Sequence, residues 1–504
     1  MRFYTNVQLV GDHVLVRGYE NGRNFMTREK FYPTLFVPSK NKTKYKTLEG
    51  DYVETIQPGT VRECRDFIKK YDGVENFKIY GNTGYIYQYI SEKYPEEEIK
   101  FDTTKIKIST IDIEVKSENG FPDVESAAEE VLLISVQDYT TKKIRTWGQG
   151  PFNNKQQNVD YKSFRTEYEL LTAFINWWMI EGNTPEVVTG WNSELYDMPY
   201  LVRRIDRILG EKLMKRLSPW GLVTEREIYI AGRKHISYDV GGITQLDYLN
   251  LYKKFTYKAQ ESYRLDYIAE VELGQKKLDH SEFDTFKDFY TEGWQKFVEY
   301  NIVDVELVDR LEDKMKLIEL AITMAYDAKA NYGDISSQVR MWDTIIYNYL
   351  KKKDIVIPPK EKSEKDSKYA GAYVKEPVPG KYDWVVNFDL NSLYPHLIMQ
   401  FNVSPETLVD ERHPTATVDK ILNQELSFEL YKDYAVCPNG AMFRKNVRGF
   451  LPELMEKIYE DRTIYKKKML VAKQQYEKTK TKELEKEIAR CNNIQMARKI
   501  QLNS

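Results

Sequence analysis

Residues 386–395, with the sequence Val-Asn-Phe-Asp-Leu-Asn-Ser-Leu-Tyr-Pro, constrain the fold of this chain more than any other stretch. The apolar run from Trp384 to Val386 predicts a short buried strand that ends on Asp389. Residues 392–395 predict a turn into a helix, because serine can cap a helix and proline is tolerated in its first turn. A carboxylate at a strand end suits Mg²⁺ and a triphosphate. Taken alone, an aspartate there is more often a turn or cap residue.

The composition excludes several other classes of protein. The 504 residues are 41% hydrophobic and 30% charged, which is typical of three or four soluble domains. The chain has no run of 18 apolar residues and no N-terminal signal pattern, which predicts a cytoplasmic protein with no membrane partner. Cys64, Cys437 and Cys491 are scattered and lie far from the five histidines, so neither a disulfide framework nor a cysteine zinc site is expected. Any metal ion is therefore expected to be held by carboxylates.

A pair of carboxylates occurs in a second strand-like segment, residues 106–115. The period of a strand places Ile111 and Ile113 on one face and Asp112 and Glu114 on the other. Two neighbouring carboxylates repel each other, so one pKa must rise unless a cation compensates the charge. A divalent metal ion would do so, whereas the alternative is simply an exposed strand face that carries two acids.

Two further acidic positions follow this pair. Asp197 comes after an apolar run that ends in Thr-Gly-Trp-Asn, just before a predicted helix. Residues 294–311 also predict a helix by their apolar spacing, and they carry Tyr300 and Asp304 one turn apart on one face. For Tyr300 alone, an aromatic side chain that faces the core is the simpler interpretation.

The ordered set of Asp-x-Glu, Asp after Thr-Gly-Trp-Asn, and Tyr-x-x-x-Asp resembles the three motifs of the DEDDy 3′-to-5′ exonucleases. That resemblance implies two Mg²⁺ or Mn²⁺ ions, which steady the attacking water and the leaving 3′ oxygen of a phosphodiester. It implies that Asp112, Glu114 and Asp304 ligate the first ion. It also implies that Asp112 reaches the second ion, near which Asp197 lies, and that the Tyr300 hydroxyl orients the water.

The end of the chain predicts a helical hairpin. Residues 451–476 and 482–503 are rich in helix formers, and the pattern breaks near residue 480. Arg462 and Lys466 lie one turn apart on the first helix, and Lys499 and Asn503 lie one turn apart on the second. Equal arms place these positions side by side, as in a grip for a triphosphate. A solvated charged face is the alternative.

Asp-x-x-Ser-Leu-Tyr-Pro resembles motif A of the family B DNA polymerases, and the whole chain resembles the amino-terminal part of those of the T-even bacteriophage type. The segment Tyr-Ala-Gly-Ala-Tyr-Val, with Tyr369 and Gly371, resembles the element that joins exonuclease and polymerase modules there and approaches template DNA. The resemblance implies that Asp389 and the Leu390 carbonyl hold metal. It also implies that one set of residues contacts the incoming nucleotide: Leu390, Ser392, Leu393, Tyr394, Arg462, Lys466, Lys499 and Asn503.

These features predict a multidomain α/β and α+β fold. We expect an N-terminal module over residues 1–103, with a return segment at about 318–358. A ribonuclease-H-like 3′-to-5′ exonuclease domain is expected over residues 104–317, with an exposed hairpin at about 225–241. A partial polymerase palm over 359–448 and a helical finger hairpin over 449–504 complete the predicted order.

The resemblance has two departures. The finger hairpin is short, and the sequence stops at Lys-Ile-Gln-Leu-Asn-Ser, inside motif B, where the family continues into Tyr-Gly, a second catalytic aspartate and the thumb. We therefore expect the amino-terminal portion or subunit of a split replicative DNA polymerase, with a complete exonuclease site and a polymerase site that needs a C-terminal partner. Primer–template DNA, dNTP and a sliding clamp are the other expected partners. A standalone 3′-to-5′ exonuclease and an RNA- or DNA-binding regulator are the alternatives.

Overall fold

The computed structural model describes residues 1–75, 77–117, 120–230, 232–256, 258–278, 281–360, 376–390 and 392–503. Tyr369 and Gly371, which we expected to contact template DNA, lie outside the described residues. The described chain divides into two compact units. Residues 1–31 and 85–345 form the first unit, and residues 32–84 and 346–504 belong to the second. The boundaries of the four domains expected from the sequence stay predictions.

The strands of the described chain are short to medium in length and are numbered here in chain order. They are β1 (Arg2–Val10), β2 (His13–Glu20), β3 (Arg23–Lys30), β4 (Leu35–Pro38), β5 (Tyr45–Lys46), β6 (Tyr52–Ile56), β7 (Ile108–Val115), β8 (Val131–Asp138), β9 (Ile144–Gly148), β10 (Val159–Ser163), β11 (Val187–Thr189), β12 (Val223–Ile230), β13 (Arg233–Val240), β14 (Thr244–Gln245), β15 (Tyr434–Val436) and β16 (Met442–Arg444).

The α-helices are numbered in the same way. They are α1 (Val61–Tyr71), α2 (Tyr85–Lys93), α3 (Glu167–Trp178), α4 (Asp197–Leu209), α5 (Glu211–Met214), α6 (Tyr248–Phe255), α7 (Leu265–Leu273), α8 (Phe286–Glu292), α9 (Trp294–Met315), α10 (Leu317–Ala328), α11 (Gln338–Lys352), α12 (Leu393–Phe401), α13 (Val418–Leu422), α14 (Phe450–Thr479) and α15 (Lys482–Leu502). A search of the described helices finds none with both the length and the apolarity needed to cross a bilayer.

The first unit is built on a six-stranded mixed sheet with the strand order β10-β9-β8-β7-β11-β14. The strand β7 pairs antiparallel with β8 and parallel with β11. One face of the sheet packs against α3 and α4 through residues such as Trp147, Phe174 and Ile205. The other face packs against α8 and α9, where Phe289 and Phe297 are fully buried. The sheet is thus covered by helices on both sides, as in an α/β domain.

The alternation predicted for β7 is confirmed. Ile111 and Ile113 are buried and belong to the core under α3 and α4, whereas Asp112 and Glu114 are partly buried. Because successive side chains of a strand point to opposite faces, the two carboxylates are directed to the side of α9. The register with β8 shifts between Glu114 and Val115, at the end of the acidic pair.

Two other predicted elements of the first unit are confirmed. The hairpin expected at about 225–241 is formed by β12 and β13, which pair antiparallel from Val223–Val240 to Ile230–Arg233. The helix expected over residues 294–311 is α9, which continues to Met315 and ends at Lys316 in a left-handed conformation. Residues 1–31 form an antiparallel sheet of β1, β2 and β3.

The prediction of a buried strand before Asp389 is wrong. Residues 384–390 are irregular, and the exposed fraction of Trp384 is 97% and that of Phe388 is 89%. A strand needs a neighbour for its N–H and C=O groups. No strand of the described residues pairs with this segment, so its backbone stays open to water.

The turn and helix expected after Asp389 are observed, because α12 begins at Leu393. Ser392 stands at the N-cap position with a φ of 52°, and its hydroxyl makes no capping bond to the helix. The serine therefore begins α12 through a left-handed backbone turn, and not through the side-chain cap that we expected.

The helical hairpin at the end of the chain is confirmed as α14 and α15. An ion pair between Arg498 and Asp461, with 3.4 Å between Nη2 and Oδ2, joins the two helices next to Lys499 and Arg462. The two helices therefore present the predicted basic positions at the same height. Asn503 lies one residue beyond the end of α15, at its C-cap.

Candidate active site

The centre of the candidate site is a group of three carboxylates. Asp112 and Glu114 come from β7 and Asp304 comes from α9, and one oxygen from each lies within 4.8 Å of the others. Asp304 follows the pair by about 190 residues in the sequence, and the packing of α9 on the acidic face of the sheet brings them together. The amide Nδ2 of Asn301, one turn before Asp304, donates to Asp112 Oδ2 at 2.6 Å.

Asp197 lies beside this group as the first residue of α4. It is buried, and its Oδ1 accepts a hydrogen bond of 2.9 Å from the backbone N–H of Ile113, which lies between the paired acids on β7. A carboxylate in the first turn of a helix also interacts favourably with the helix dipole. The structure therefore brings all four predicted acids to one end of β7.

The carboxyl groups all have raised pKa values. Burial, and then the charges of Asp197, Asp304 and Glu114, raise the pKa of Asp112 well above its usual range. Burial and the charge of Asp304 raise the pKa of Glu114 to about 8. Burial raises the pKa of Asp197 to about 7, although its bond to the Ile113 N–H opposes this. Burial raises the pKa of Asp304 as well, and Lys277 opposes this effect, so that the pKa is about 6.

Lys277 is a member of the site that the sequence did not indicate. Its ammonium donates to the Tyr300 hydroxyl at 3.1 Å and to Asp304 Oδ2, and it lies 4.6 Å from the centre of the Tyr300 ring. Burial lowers the pKa of Lys277, but the charge of Asp304 raises it further, so the ammonium stays charged. Lys277 follows α7 in an irregular segment without a motif, so no pattern distinguishes it from the other basic residues.

A cavity of about 240 Å³ opens beside the carboxylates. Trp191, Arg264 and Tyr300 form part of its wall. The burial of the Tyr300 hydroxyl raises its pKa to about 12, against the opposing effect of Lys277, so the group keeps its proton. The full lining consists of Asp112, Trp191, Arg264, Leu265, Asp266, Lys277, Tyr300 and Asp304.

The donor set fits a hard divalent cation. The described cluster offers only carboxylate oxygens, which Mg²⁺ and Mn²⁺ prefer over nitrogen or sulfur ligands. Asp304 Oδ1 is buried and has no hydrogen-bond partner among the described residues, so this oxygen is available as a metal ligand. Asp112, Glu114 and Asp304 would therefore hold an ion, with Asp197 alongside.

The predicted polymerase residues lie in the second unit and are less closely assembled. Asp389 is exposed, and within the described residues it belongs to no group of three acidic or metal-binding side chains. Leu390 and Tyr394 are each 70% exposed. Arg462 Nη1 donates to Ser392 Oγ at 3.4 Å, which links α14 to the start of α12. Leu393 begins α12 and Lys466 lies on α14. Lys499 lies in the last turn of α15, and Asn503 follows that helix at its C-cap.

Fold and site together define a ribonuclease-H-like domain with a carboxylate centre of the nuclease type. Residues 74–268 match the DNA polymerase family B exonuclease domain, and residues 335–504 match DNA polymerase family B. The chain therefore belongs to DNA polymerase family B, and the resemblance inferred from its motifs is confirmed. The exonuclease match includes Asp112, Glu114 and Asp197.

The curated relatives include phage and archaeal proteins. The chain is 33% identical to the DNA-directed DNA polymerase of Escherichia phage RB69 and 31% identical to that of Enterobacteria phage T4, in each case over 93% of this chain and 54% of the relative. It is 26% identical to the DNA polymerase of Thermococcus gorgonarius over 88% of this chain and 54% of that protein. The chain thus spans about half the length of these relatives.

Proposed function

We propose that this chain is a metal-dependent 3′-to-5′ exonuclease that removes nucleotides from DNA, within the amino-terminal portion of a replicative DNA polymerase. The observation that carries the proposal is the convergence of Asp112, Glu114 and Asp304 within 4.8 Å, with Asp197 and Tyr300 beside them. Members of the family use divalent metal ions, and we propose two Mg²⁺ or Mn²⁺ ions for this site. Its place of action would be the cytoplasm of a host cell.

The proposed roles follow from the contacts. Asp112, Glu114 and Asp304 bind metal, and Asp197 extends the carboxylate set towards a second position. Bound divalent ions would lower the pKa of a water molecule and neutralise charge on the phosphodiester and its leaving oxygen. Tyr300 keeps its proton and can therefore donate to or orient a water at the scissile phosphate. If a metal ion replaced the Lys277 ammonium at Asp304, the ammonium would be free to form an ion pair with the phosphate of the substrate.

The cavity gives a physical reason for a single-stranded 3′ end. Trp191 offers an aromatic surface on which a base can stack, and Arg264 offers a guanidinium for a phosphate. Both side chains line the same cavity as Asp112 and Asp304. A terminal nucleotide that lies between them would bring its phosphodiester to the carboxylates, whereas a paired terminus would first have to be unwound.

Digestion of a 5′-labelled single-stranded oligonucleotide tests the proposal. The chain should shorten it from the 3′ end with Mg²⁺ or Mn²⁺, and a 3′-phosphorylated strand should be cut more slowly. Asp112→Ala and Asp304→Ala should each reduce the rate by several orders of magnitude, because each removes a metal ligand. Asp313→Ala is the matched control, since Asp313 lies on α9 but contacts Lys142 outside the site. Equal rates in wild type and both site variants would refute the proposal.

We further propose that DNA synthesis at Asp389 needs a C-terminal polymerase segment as a partner. In-line nucleotidyl transfer by two metals needs carboxylates from more than one position. Asp389 belongs to no group of three metal-binding side chains among the described residues, and the apolar side chains of Trp384, Phe388 and Leu390 are exposed beside it. A C-terminal segment would supply the second carboxylate, cover these side chains and provide the contact to a sliding clamp. Primer–template DNA and dNTP would be the substrates.

Primer extension distinguishes this proposal from the alternatives. The chain alone should add no nucleotides, and a mixture with a polypeptide equivalent to the remaining half of the relatives should extend a primer. Asp389→Ala in the mixture should abolish extension but leave exonuclease activity. A folded, co-purified pair without synthesis would favour a standalone exonuclease. Salt-dependent RNA or DNA binding that Asp112→Ala leaves unchanged, without either activity, would favour a regulator.

A further inference from the structure

We infer that Asp247 is a positioning residue for the exonuclease centre. It lies directly before α6, outside the three acidic motifs, and its side chain binds the loop that leads from β11 to Asp197. This inference rests on the proposed exonuclease function. Asp247 would hold the loop at residues 190–196 in the conformation that the carboxylate centre needs.

The Asp247 carboxylate serves two different segments. Its Oδ1 accepts from the backbone N–H groups of Leu249 at 2.9 Å and Asn250 at 3.3 Å, which caps α6. The same oxygen accepts from the Asn192 N–H at 3.3 Å, and Oδ2 accepts from the Glu194 N–H at 3.0 Å. Asp247 is 3% exposed, so these bonds are shielded from water. A helix cap alone would use the first pair and leave Oδ2 without this partner.

The loop needs such an anchor because its backbone conformation is unusual. Asn192 has a φ of 67°, in the left-handed region that side chains other than glycine adopt at a cost. Gly190 lies so close to β7 that a Cβ atom would stand 2.6 Å from the Ile111 carbonyl oxygen and 2.8 Å from the Ser193 Cβ. The backbone of the loop is thus pressed against the strand that carries the paired acids. Such a conformation persists only where surrounding contacts determine it.

The loop connects this anchor to two groups of the site. Asp197 begins α4 three residues after Glu194, and its Oδ1 accepts from the Ile113 N–H at 2.9 Å. Trp191 lies in the same loop, lines the cavity and donates from Nε1 to the Tyr263 carbonyl oxygen at 3.0 Å. A shift of the loop would therefore move a proposed metal-binding acid and a wall of the substrate cavity together. Removal of such supporting contacts typically reduces metal affinity or activity about 10- to 100-fold.

The other bonds to Glu194 do not replace this anchor. Its carboxylate accepts from Arg226 of β12 at 2.6 Å and from the Asn250 side chain at 3.2 Å, and both bonds involve solvent-exposed groups. Exposed ion pairs contribute little to stability. The buried carboxylate of Asp247 therefore provides the firmer attachment for the loop backbone.

Two substitutions separate positioning from helix capping. Asp247→Ser retains a short oxygen that can cap α6, but it has no second oxygen for the Glu194 N–H. Asp247→Asn retains one oxygen and the size of the side chain, but its NH₂ group cannot accept from a second N–H. Thr166→Ala is the matched control, because it removes the side-chain cap of α3 in the same unit, away from the site.

The readouts are the steady-state kcat and KM on a single-stranded oligonucleotide, calorimetric titration of Mn²⁺ and thermal unfolding. Both Asp247 variants should show an affinity for Mn²⁺ and an exonuclease activity that are about 10- to 100-fold lower than in the wild type. The change in kcat should be larger than the change in KM. Thr166→Ala should lower the unfolding temperature and leave Mn²⁺ affinity unchanged. If Asp247→Ser fails to fold, Asp247→Asn provides the same measurement.

The outcomes also separate this inference from the proposed function. Mn²⁺ affinity and kcat at the wild-type level in both Asp247 variants would overturn the inference, and they would leave Asp247 as a helix cap. If the wild-type chain shows no exonuclease activity, the proposed function fails, and Mn²⁺ titration alone then decides the positioning role. The positioning role would also be overturned if Thr166→Ala reduced Mn²⁺ affinity as much as the Asp247 variants do.

Discussion

Binding of a divalent metal ion to this site should release protons, and the number released should depend strongly on pH. Metal ions bind deprotonated carboxylates. In the metal-free chain, burial raises the pKa of Asp304 to about 6, that of Asp197 to about 7 and that of Glu114 to about 8. Near pH 6 these groups therefore keep several of their protons until metal displaces them.

The magnitude follows from these pKa values. At pH 6 the groups of Glu114 and Asp197 are mostly protonated and Asp304 is half protonated, whereas at pH 8.5 most of these protons are gone. Metal binding should thus release about two more protons at pH 6 than at pH 8.5, and the apparent association constant should rise about 100-fold from pH 6 to pH 7. Asp112, whose pKa is also raised, adds to this effect.

The same shifts determine how stability depends on pH. A carboxyl group with a raised pKa binds more protons in the folded than in the unfolded chain, so its contribution is complete below its ordinary pKa and is lost as pH rises through the folded value. The metal-free chain should therefore lose about 1.4 kcal/mol of stability per pH unit for each such group that is protonated in the folded chain and ionised in the unfolded chain. Saturating Mn²⁺ should remove this loss between pH 6 and pH 8.

Calorimetric titration with Mn²⁺ in two buffers of different ionisation enthalpy counts the protons. Glu114→Gln should release about one proton fewer at pH 6, because the substituted group cannot titrate. Glu312→Gln is the control: the pKa of Glu312 is also raised by burial, to about 7, but its carboxylate binds the start of α10 and lies outside the site. Proton release that is the same at pH 6 and pH 8.5, or that Glu114→Gln leaves unchanged, would refute this reasoning.

Three substitutions test other parts of the fold and site. Arg204→Met should destabilise the chain by about 3–5 kcal/mol in chemical unfolding, because it leaves the buried Glu167 carboxylate without its partner; an unchanged unfolding curve would contradict this. Lys277→Met should reduce the exonuclease rate but increase Mn²⁺ affinity at pH 8, since the ammonium competes for Asp304; weaker Mn²⁺ binding in calorimetry would argue against that competition. Gly190→Ala should lower the exonuclease rate and cost about 1–3 kcal/mol of stability, and wild-type values for both would show that the close approach is not needed.

The acidic centre could be predicted from the sequence because its members lie on regular elements. The alternation of β7 determines which face carries Asp112 and Glu114, and the helical repeat of α9 places Tyr300 and Asp304 together. Such periodic positions depend on local geometry, which the sequence contains. The proposed roles of these residues, in contrast, come from the resemblance to known exonucleases and stay predictions.

The sequence analysis did not indicate Lys277, Asn301 or Asp247, because all three act through contacts between distant segments. Lys277 reaches Asp304 from an irregular segment after α7, and Asn301 reaches Asp112 from within α9. Asn301 lies three residues before Asp304 on the same side of α9, so its position was a signal that could have been used. For Lys277 and Asp247 the sequence contains no comparable pattern.

The wrong prediction at residues 384–390 has a different cause. An apolar run favours a strand only if other strands accept its hydrogen bonds, and the described residues provide none. The run Trp384 to Val386 was interpreted from hydrophobicity alone, which indicates that a segment needs burial but not what buries it. Its exposure in the described chain is the main structural support for a polymerase partner segment.

The acidic centre itself argues that this site is built for a bound cation. Burying four carboxylates close together is electrostatically unfavourable. The raised pKa values of Asp112 and Glu114 reflect this electrostatic cost. The Lys277 ammonium compensates only one charge, and Asp304 Oδ1 still has no hydrogen-bond partner among the described residues. If these carboxylates served stability alone, we would expect each of them to have a cationic partner or to be replaced by an apolar side chain. Protons and one lysine therefore occupy a site whose remaining charge divalent metal ions would neutralise.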